Sequence, residues 1–245
     1  MLAILLFFSL HWFSSLFFHS FFLHRYCSHQ MYTCSKNWER FFYLSTWVAQ
    51  GSSYLIPRAY GVMHRMHHVY SDTEKDPHSP HFFTDIYQMM RHTVVIFRGF
   101  VTGKNLPEAQ FTADYLPQWD RLDRLAHAWY TRLVFIFIYI GFYLVFAPNF
   151  YWFLLLPIHF LMGPIQGAIV NWCGHKYGYQ NYQNGDHSRN SSPWGVLLMG
   201  ELFQNNHHHA KTDANFARRW FEFDLTFLVM RGLHHAKVIQ LVNRV

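Results

Sequence analysis

Charge is scarce in this chain, and acid scarcest of all. Its 245 residues hold 14 Asp and Glu against 20 Lys and Arg, and no charged side chain occurs before Arg25. Cysteine is nearly missing. Cys27, Cys34 and Cys173 form an odd set with no paired spacing, which argues against a disulfide framework and for a reducing compartment. Cys27, although set between His24 and His29, matches no cysteine metal-site spacing and reads as a buried thiol. There is no basic arm or stripe, so the net charge of +6 does not point to nucleic acid. Also missing are a haem-binding domain, a flavin or nicotinamide fingerprint and a cysteine set for an iron–sulfur cluster. The first 23 residues lack the basic n-region and small-residue cleavage site of a signal peptide.

What the chain has is aromatic apolar sequence and histidine. Aromatics make up 20%, with 26 Phe, 15 Tyr and 9 Trp, yet the mean hydropathy is −0.04. The two facts together fit long apolar spans joined to a large polar cap. A bilayer core needs about 20 apolar residues. Spans are expected at about 1–23, 133–147 and 150–170, the last two joined at Pro148-Asn149 as a hairpin. Pro157 and Pro164 in the returning helix are tolerated in membranes. His11, His19 and His159 read as packed or hydrogen-bonded residues. The stretch from Phe41 to Ile56 is too polar for a span and reads as interfacial or re-entrant, leading to Pro57. Residues Ser71 to His81 read as a proline-bounded surface loop, with His78 and His81 assigned to that loop. Short interfacial or cytosolic helices are expected from Asp85 to Trp129, a loop over Asn181 to Pro193, and an amphipathic tail from Phe216 to Val245 on the membrane surface.

With three spans, residues 24–132 and 171–245 fall on one side, and all 20 Lys and Arg lie there. The positive-inside bias makes that side cytoplasmic. The fold class that follows is all-α: an integral membrane helical protein, one domain over 1–245, with a cytosolic helical cap. The expected location is a bacterial inner membrane or the endoplasmic reticulum.

The cap carries the informative residues. In His64-Arg-Met-His67-His68 the three imidazoles share a helix face, because residues three and four apart are neighbours. Gln204-Asn-Asn-His207-His208 repeats the spacing with Gln204 at the first position. His24 and His29 lie at the end of the first apolar run, and His175 follows another. Neutral imidazole suits iron, zinc or copper. Eight imidazoles exceed one ion's needs, so a centre of two ions is expected, with open positions that suit redox-active iron better than structural zinc. His24 and His29 are five apart, about 140° round an α-helix, so they need not share an ion.

This pattern resembles the membrane fatty acid desaturases, and most closely the acyl-CoA desaturases of the stearoyl-CoA delta-9 type. The likeness rests on three boxes, His24-Arg-Tyr-Cys-Ser-His29, His64-Arg-Met-His67-His68 and Gln204-Asn-Asn-His207-His208, and on Asn171-Trp-Cys-Gly-His175. It is supported by Asp72-Thr-Glu-Lys-Asp-Pro-His-Ser-Pro80 and Gly200-Glu201, and it covers essentially the whole chain. The resemblance implies two iron ions held by the eight histidines, with Asn171 acting through water. Gln204, where the family usually has histidine, would reach iron directly or through water. The resemblance also implies O2 as co-substrate, a cis double bond placed in a saturated acyl chain, and electrons from a separate cytochrome b5 or ferredoxin with its reductase. The implied substrate is a fatty acyl-CoA or a lipid-linked acyl chain, whose carrier Arg91, Lys104, Arg121 and Arg124 could meet through its phosphates. The family commonly has a further span before the first box; its absence here reads as a compact member or an incomplete start. Asp72, Asp76, Glu201 and Asp224 are candidates to hold the ligand rings from behind. Two alternatives stay open: a fatty acid hydroxylase or decarboxylase on the same centre, and a non-catalytic metal-binding membrane protein.

Overall fold

A computed structural model describes residues 1–191 and 195–242 of the chain. The first helix, α1 (Leu2–Phe18), runs without interruption into a π-helical stretch, His19–Ser28. Together they make one rod of 27 residues with mean hydropathy 1.6. Leu2, Leu5, Leu6, Leu10 and Phe13 in its first half are exposed, whereas the π-helical half is buried. Most apolar side chains of α6 (Trp129–Phe146), whose mean hydropathy is 1.7, are exposed as well. Apolar surface on that scale is unstable in water and is what a hydrocarbon solvent accepts. The third expected span is a bent pair. After a short 3-10 segment, Phe150–Leu155, come α7 (Leu156–Phe160) and α8 (Met162–Lys176), and the two halves meet at 72°. Among the described residues, two helices are thus long and apolar enough to cross a membrane, or three spans exist if the bent pair counts as one.

Helix α2 (Lys36–Gln50), capped by the Ser35 side chain on the Trp38 N–H, packs along α1. It ends at Gly51, whose φ of +53° an L side chain rarely adopts; a Cβ there would lie 1.8 Å from the Tyr139 Oη. Glycine therefore permits both the turn and the contact with α6. Helix α3 (Pro57–Tyr70) opens on Pro57, which suits a first turn, and lies against the π-helical stretch. Helix α4 (Ile86–Thr102) is longer than the short helices expected there. Asp85 caps its start through the Gln88 N–H, and Gly103 in the left-handed conformation ends it. Two short helices complete the centre of the cap, α5 (Asp120–His127) and α9 (Gln204–His209).

The tail is not simply an amphipathic surface element. Helix α10 (Leu225–His235) is followed by β2 (Ile239–Leu241), which pairs antiparallel with β1 (Tyr32–Cys34), Thr33 opposite Gln240. This ribbon ties the end of the chain to the segment just after His29. The end of the expected tail, 243–245, and the last part of the expected loop, 192–193, lie outside the described residues. The main core of the cap gathers Phe21, Phe22, Tyr32, Tyr43, Phe203 and Phe216 around the π-helical stretch. A separate aromatic cluster around Tyr139 and Tyr143 joins the apolar helices.

Candidate metal centre

Four distant pieces of chain meet beside the π-helical stretch. His24, His29, His64, His68 and His207 offer nitrogens that all lie within 4.8 Å of one another; His67, His175 and His208 form a second group by the same measure. Successive Nε2 atoms of the first group face each other closely: His24 to His207 at 2.8 Å, His207 to His68 at 2.9 Å, and His64 to both His68 and His29 at 3.0 Å. In the second group, His67 Nε2 faces His208 Nε2 at 3.2 Å. Metal–nitrogen bonds of about 2.1 Å put adjacent ligand nitrogens about 3 Å apart, the edge of a coordination polyhedron.

The π-helix explains how His24 and His29 reach one group, which α-helical spacing does not require. Its hydrogen bonds run from each residue to the fifth along, so residues five apart stack on the same face. His24 lies within this stretch and His29 caps it. On α3 the spacing of three and four sends His64 and His68 to the first group and His67 to the second.

Behind four of the rings stands a carboxylate. His24 Nδ1 donates to Glu201 at 2.5 Å, His67 Nδ1 to Asp76 at 2.9 Å, His175 Nδ1 to Asp72 at 2.9 Å and His208 Nδ1 to Asp186 at 2.7 Å. A neutral imidazole has one proton, and here it is committed to the carboxylate. When both rings are neutral, the form in which imidazole ligates a metal, the Nε2 lone pairs of His67 and His208 face each other at 3.2 Å, an arrangement that a cation between them would stabilise. His175 Nε2 is buried without a hydrogen-bond partner among the described residues. The donor set and its backing suit a metal in both groups.

Burial, aided by neighbouring rings, drives the His29, His64, His68 and His207 imidazoles well below the ordinary pKa. It takes His208 down to about 3. That keeps them neutral, the form a metal takes. His67 goes the other way: burial pulls it down, but the carboxylates of Asp76, Asp72 and Asp186 together outweigh burial and raise it. Burial works to raise Glu201, yet His24 and Arg25 hold it down to about 2.

Three of the four carboxylates expected behind ligand rings are found there: Asp72, Asp76 and Glu201. Asp224 is not. It accepts from Arg25 Nη2 at 2.7 Å and caps α10 through the Phe227 N–H. Asp186, 22 residues before His208, takes the fourth place; no sequence spacing signals it. Gln204 is buried beside the groups, pressed onto Gly174, where a Cβ would lie 2.5 Å from its Cγ; its amide donates to the Glu201 carbonyl at 2.6 Å. Asn171, one turn before His175 on α8, lines the adjoining cavity. His78, assigned to a surface loop from its prolines, is instead 3% exposed, with its ring centroid 4.4 Å from that of His67. The loop folds inward because Asp76 accepts from the His78 N–H, the Asp72 N–H and His67 together.

His24, His64 and His78 lie in the wall of a cavity that continues between α1, α4 and α8 along Leu16, Val94, Phe97, Gly167 and Val170. It is an apolar slot with a histidine end, the general form of a small-molecule site. Of the four basic residues expected at a carrier, Arg124 lines an open groove with Arg58 and His127. Arg91, Lys104 and Arg121 are exposed outside that groove.

Residues 1–233 match a family model described as fatty acid desaturase. Among similar proteins is an sn-1 stearoyl-lipid 9-desaturase of Anabaena variabilis, 28% identical over 84% of this chain and 71% of its own length. An acyl-CoA 5-desaturase of Anemone leveillei is 26% identical over 85% of this chain and 61% of its own. A hex-5-enoyl-[acyl-carrier protein] acetylenase of Moorena producens is 25% identical over 70% of this chain and 56% of its own. The chain thus spans little more than half to about seven-tenths of these relatives' lengths. A helical body with apolar spans, histidine groups suited to metal and a match over nearly its full length place this chain in the fatty acid desaturase family.

Proposed function

We propose that the chain is an O2-dependent desaturase that inserts a cis double bond into a saturated fatty acyl chain at a two-iron centre. The carrying observation is the pair of largely buried imidazole groups, each with donor nitrogens within 4.8 Å of one another, in which four rings are held from behind by carboxylates. Iron is the metal the reading favours. His24, His29, His64, His68 and His207 would hold one ion; His67, His175 and His208 would hold the other, with Gln204 and water on Asn171 completing the shell. Bound iron with O2 and two electrons supplies the oxidising power to take hydrogen from unactivated methylenes, which no side-chain acid or base can do.

The residues of the chain do the rest. Glu201, Asp72, Asp76 and Asp186 hold the Nδ1 protons of four rings, fixing tautomer and orientation. The slot between α1, α4 and α8 holds an acyl chain extended, so that one pair of methylenes rests beside His24 and His64. Its apolar wall keeps water from the reacting carbons. Two hydrogens would leave adjacent carbons with two electrons, and with two further electrons from the donor and two protons one O2 would become two waters. The acyl-CoA desaturase resemblance favours coenzyme A as carrier, with Arg124 and Arg58 as phosphate contacts; a lipid-linked chain is the rival supported by the stearoyl-lipid relative. Electrons come from a separate cytochrome b5 or ferredoxin system. The placement of every Lys and Arg within 24–132 and 171–245 supports a cytosolic centre in a bacterial inner membrane or the endoplasmic reticulum.

Isotope-labelled stearate fed to expressing cells tests the reading. An alkene of unchanged length is expected. A hydroxylated product or a chain one carbon shorter would replace desaturation with hydroxylation or decarboxylation. Bound zinc or copper with no O2 consumption would leave only a metal-binding protein.

A further inference from the structure

We propose that the acyl slot takes a chain carrying a hydroxyl group, and that His19 is the residue that holds its oxygen. The inference rests on the desaturase reading above and deepens it by naming a substrate class.

His19 opens the π-helical stretch and precedes His24 by five residues, as His24 precedes His29. Five is the π-helical repeat, so the three rings share one face. His24 and His29 join the first imidazole group, whereas His19 belongs to none of the groups able to hold a metal among the described residues. It stands one turn back, in the slot wall that also carries His24 and His64. The acid of that wall is not free to serve it: the oxygens of Glu201 accept from Ser20, Arg25 and His24.

His19 is 8% exposed, and its Nδ1 is buried with no hydrogen-bond partner among the described residues. A buried polar atom with nothing to bond is costly, and native structures rarely keep one without a reason. The ring stands edge-on to Tyr60, centroids 5.0 Å apart. Gly167 on α8 leaves the space in front of it. A Cβ at Gly167 would meet, within 4 Å, only the His19 Cε1, at 3.8 Å. That carbon lies between the two ring nitrogens, so the nitrogen-bearing edge is the one that faces the gap. Two neighbouring polar side chains of the slot are already closed. Thr93 donates to the Pro77 carbonyl at 2.9 Å, and Gln166 accepts from Ser15 at 3.0 Å and donates to the Trp12 carbonyl at 2.9 Å. A plain methylene chain would leave the His19 nitrogen unbonded. A hydroxyl both donates and accepts, so it satisfies Nδ1 in either tautomer, where a carbonyl serves only the protonated one.

The test is binding, measured apart from turnover. The full chain in detergent is loaded with radiolabelled stearoyl-coenzyme A. The label is then displaced by unlabelled stearoyl-coenzyme A or by analogues bearing one hydroxyl at successive carbons. Wild type is expected to bind one hydroxylated isomer about tenfold more tightly than the plain chain, the yield of one added hydrogen bond. His19→Leu should bring that ratio to about one, and His19→Gln, which keeps a hydrogen-bonding amide, should retain part of it. Gly167→Ala fills the space before the ring without altering it and should lower the ratio, an arm that stands even if His19→Leu does not fold. If no isomer gains over the plain chain in wild type, or the gain survives in His19→Leu or in Gly167→Ala, the nitrogen is bonded only to water and the inference is overturned. Selective binding that depends on His19, with no alkene formed from any chain, would keep this site and discard the desaturase reading.

Discussion

Buried histidines occupy two regions of this molecule, and they are built differently. In the cap, His24, His67, His175 and His208 each have a carboxylate behind Nδ1 and present Nε2 to another imidazole or to nothing. Among the apolar helices, His11 and His159 meet each other directly, Nδ1 to Nδ1 at 2.6 Å, and the Tyr143 hydroxyl donates to His159 Nε2 at 3.0 Å. Among the described residues no carboxylate stands behind either ring. The first arrangement turns its nitrogens toward one another with carboxylates behind; the second pairs three of its four ring nitrogens across three helices and leaves His11 Nε2 without a partner among the described residues. Burial and residue type are the same in both, so neither marks a candidate ligand. Convergence of several ring nitrogens on one point, with carboxylates behind four of the rings, does.

The comparison can be broken most directly in the cap. His67→Ala or His207→Ala should abolish product formation while the protein still accumulates in the membrane, read by fatty acid analysis of host lipids beside quantitative blotting. Full turnover in either variant would falsify the assignment of these rings to the centre. The next largest effect concerns the buried cation beside that site. Arg25 donates to Glu201 at 2.9 Å and to Asp224 at 2.7 Å and is fully buried. Arg25→Ala leaves two carboxylates without their counter-ion and should cost about 3–5 kcal/mol, seen as a lower unfolding temperature in detergent. A smaller loss is expected for the residues behind the rings. Asp76→Asn and Asp186→Asn keep the shape but weaken the hold on Nδ1, and should lower iron affinity or turnover about 10–100-fold. The smallest effect should come from the other region. His11→Phe with His159→Phe removes both partners at once, a change that is often nearly neutral, and turnover should stay within about twofold of wild type. A loss as deep as that of His207→Ala would erase the distinction between the two regions.

Much of the site was legible because its signals are local. Spacings of three and four place His64, His67 and His68 on one face of α3, and α9 repeats the pattern. The apolar runs announce themselves by length, though the third is bent by 72° where Leu161 separates α7 from α8. The ribbon of β1 and β2 was not anticipated, since three-residue strands far apart in sequence carry too little pattern to read.

What the chain determined by itself, then, was a membrane-embedded helical body carrying clustered imidazoles, because helix periodicity and hydropathy are properties of neighbouring residues. Only the tertiary structure decided which rings face one another. The π-helical turn brings His29 round to His24, and Asp186 rather than Asp224 backs a ring. The Asp76 carboxylate draws His78 out of a surface loop into the interior. Each depends on contacts between segments remote along the chain, whose energies come from burial and hydrogen bonds that no local spacing encodes.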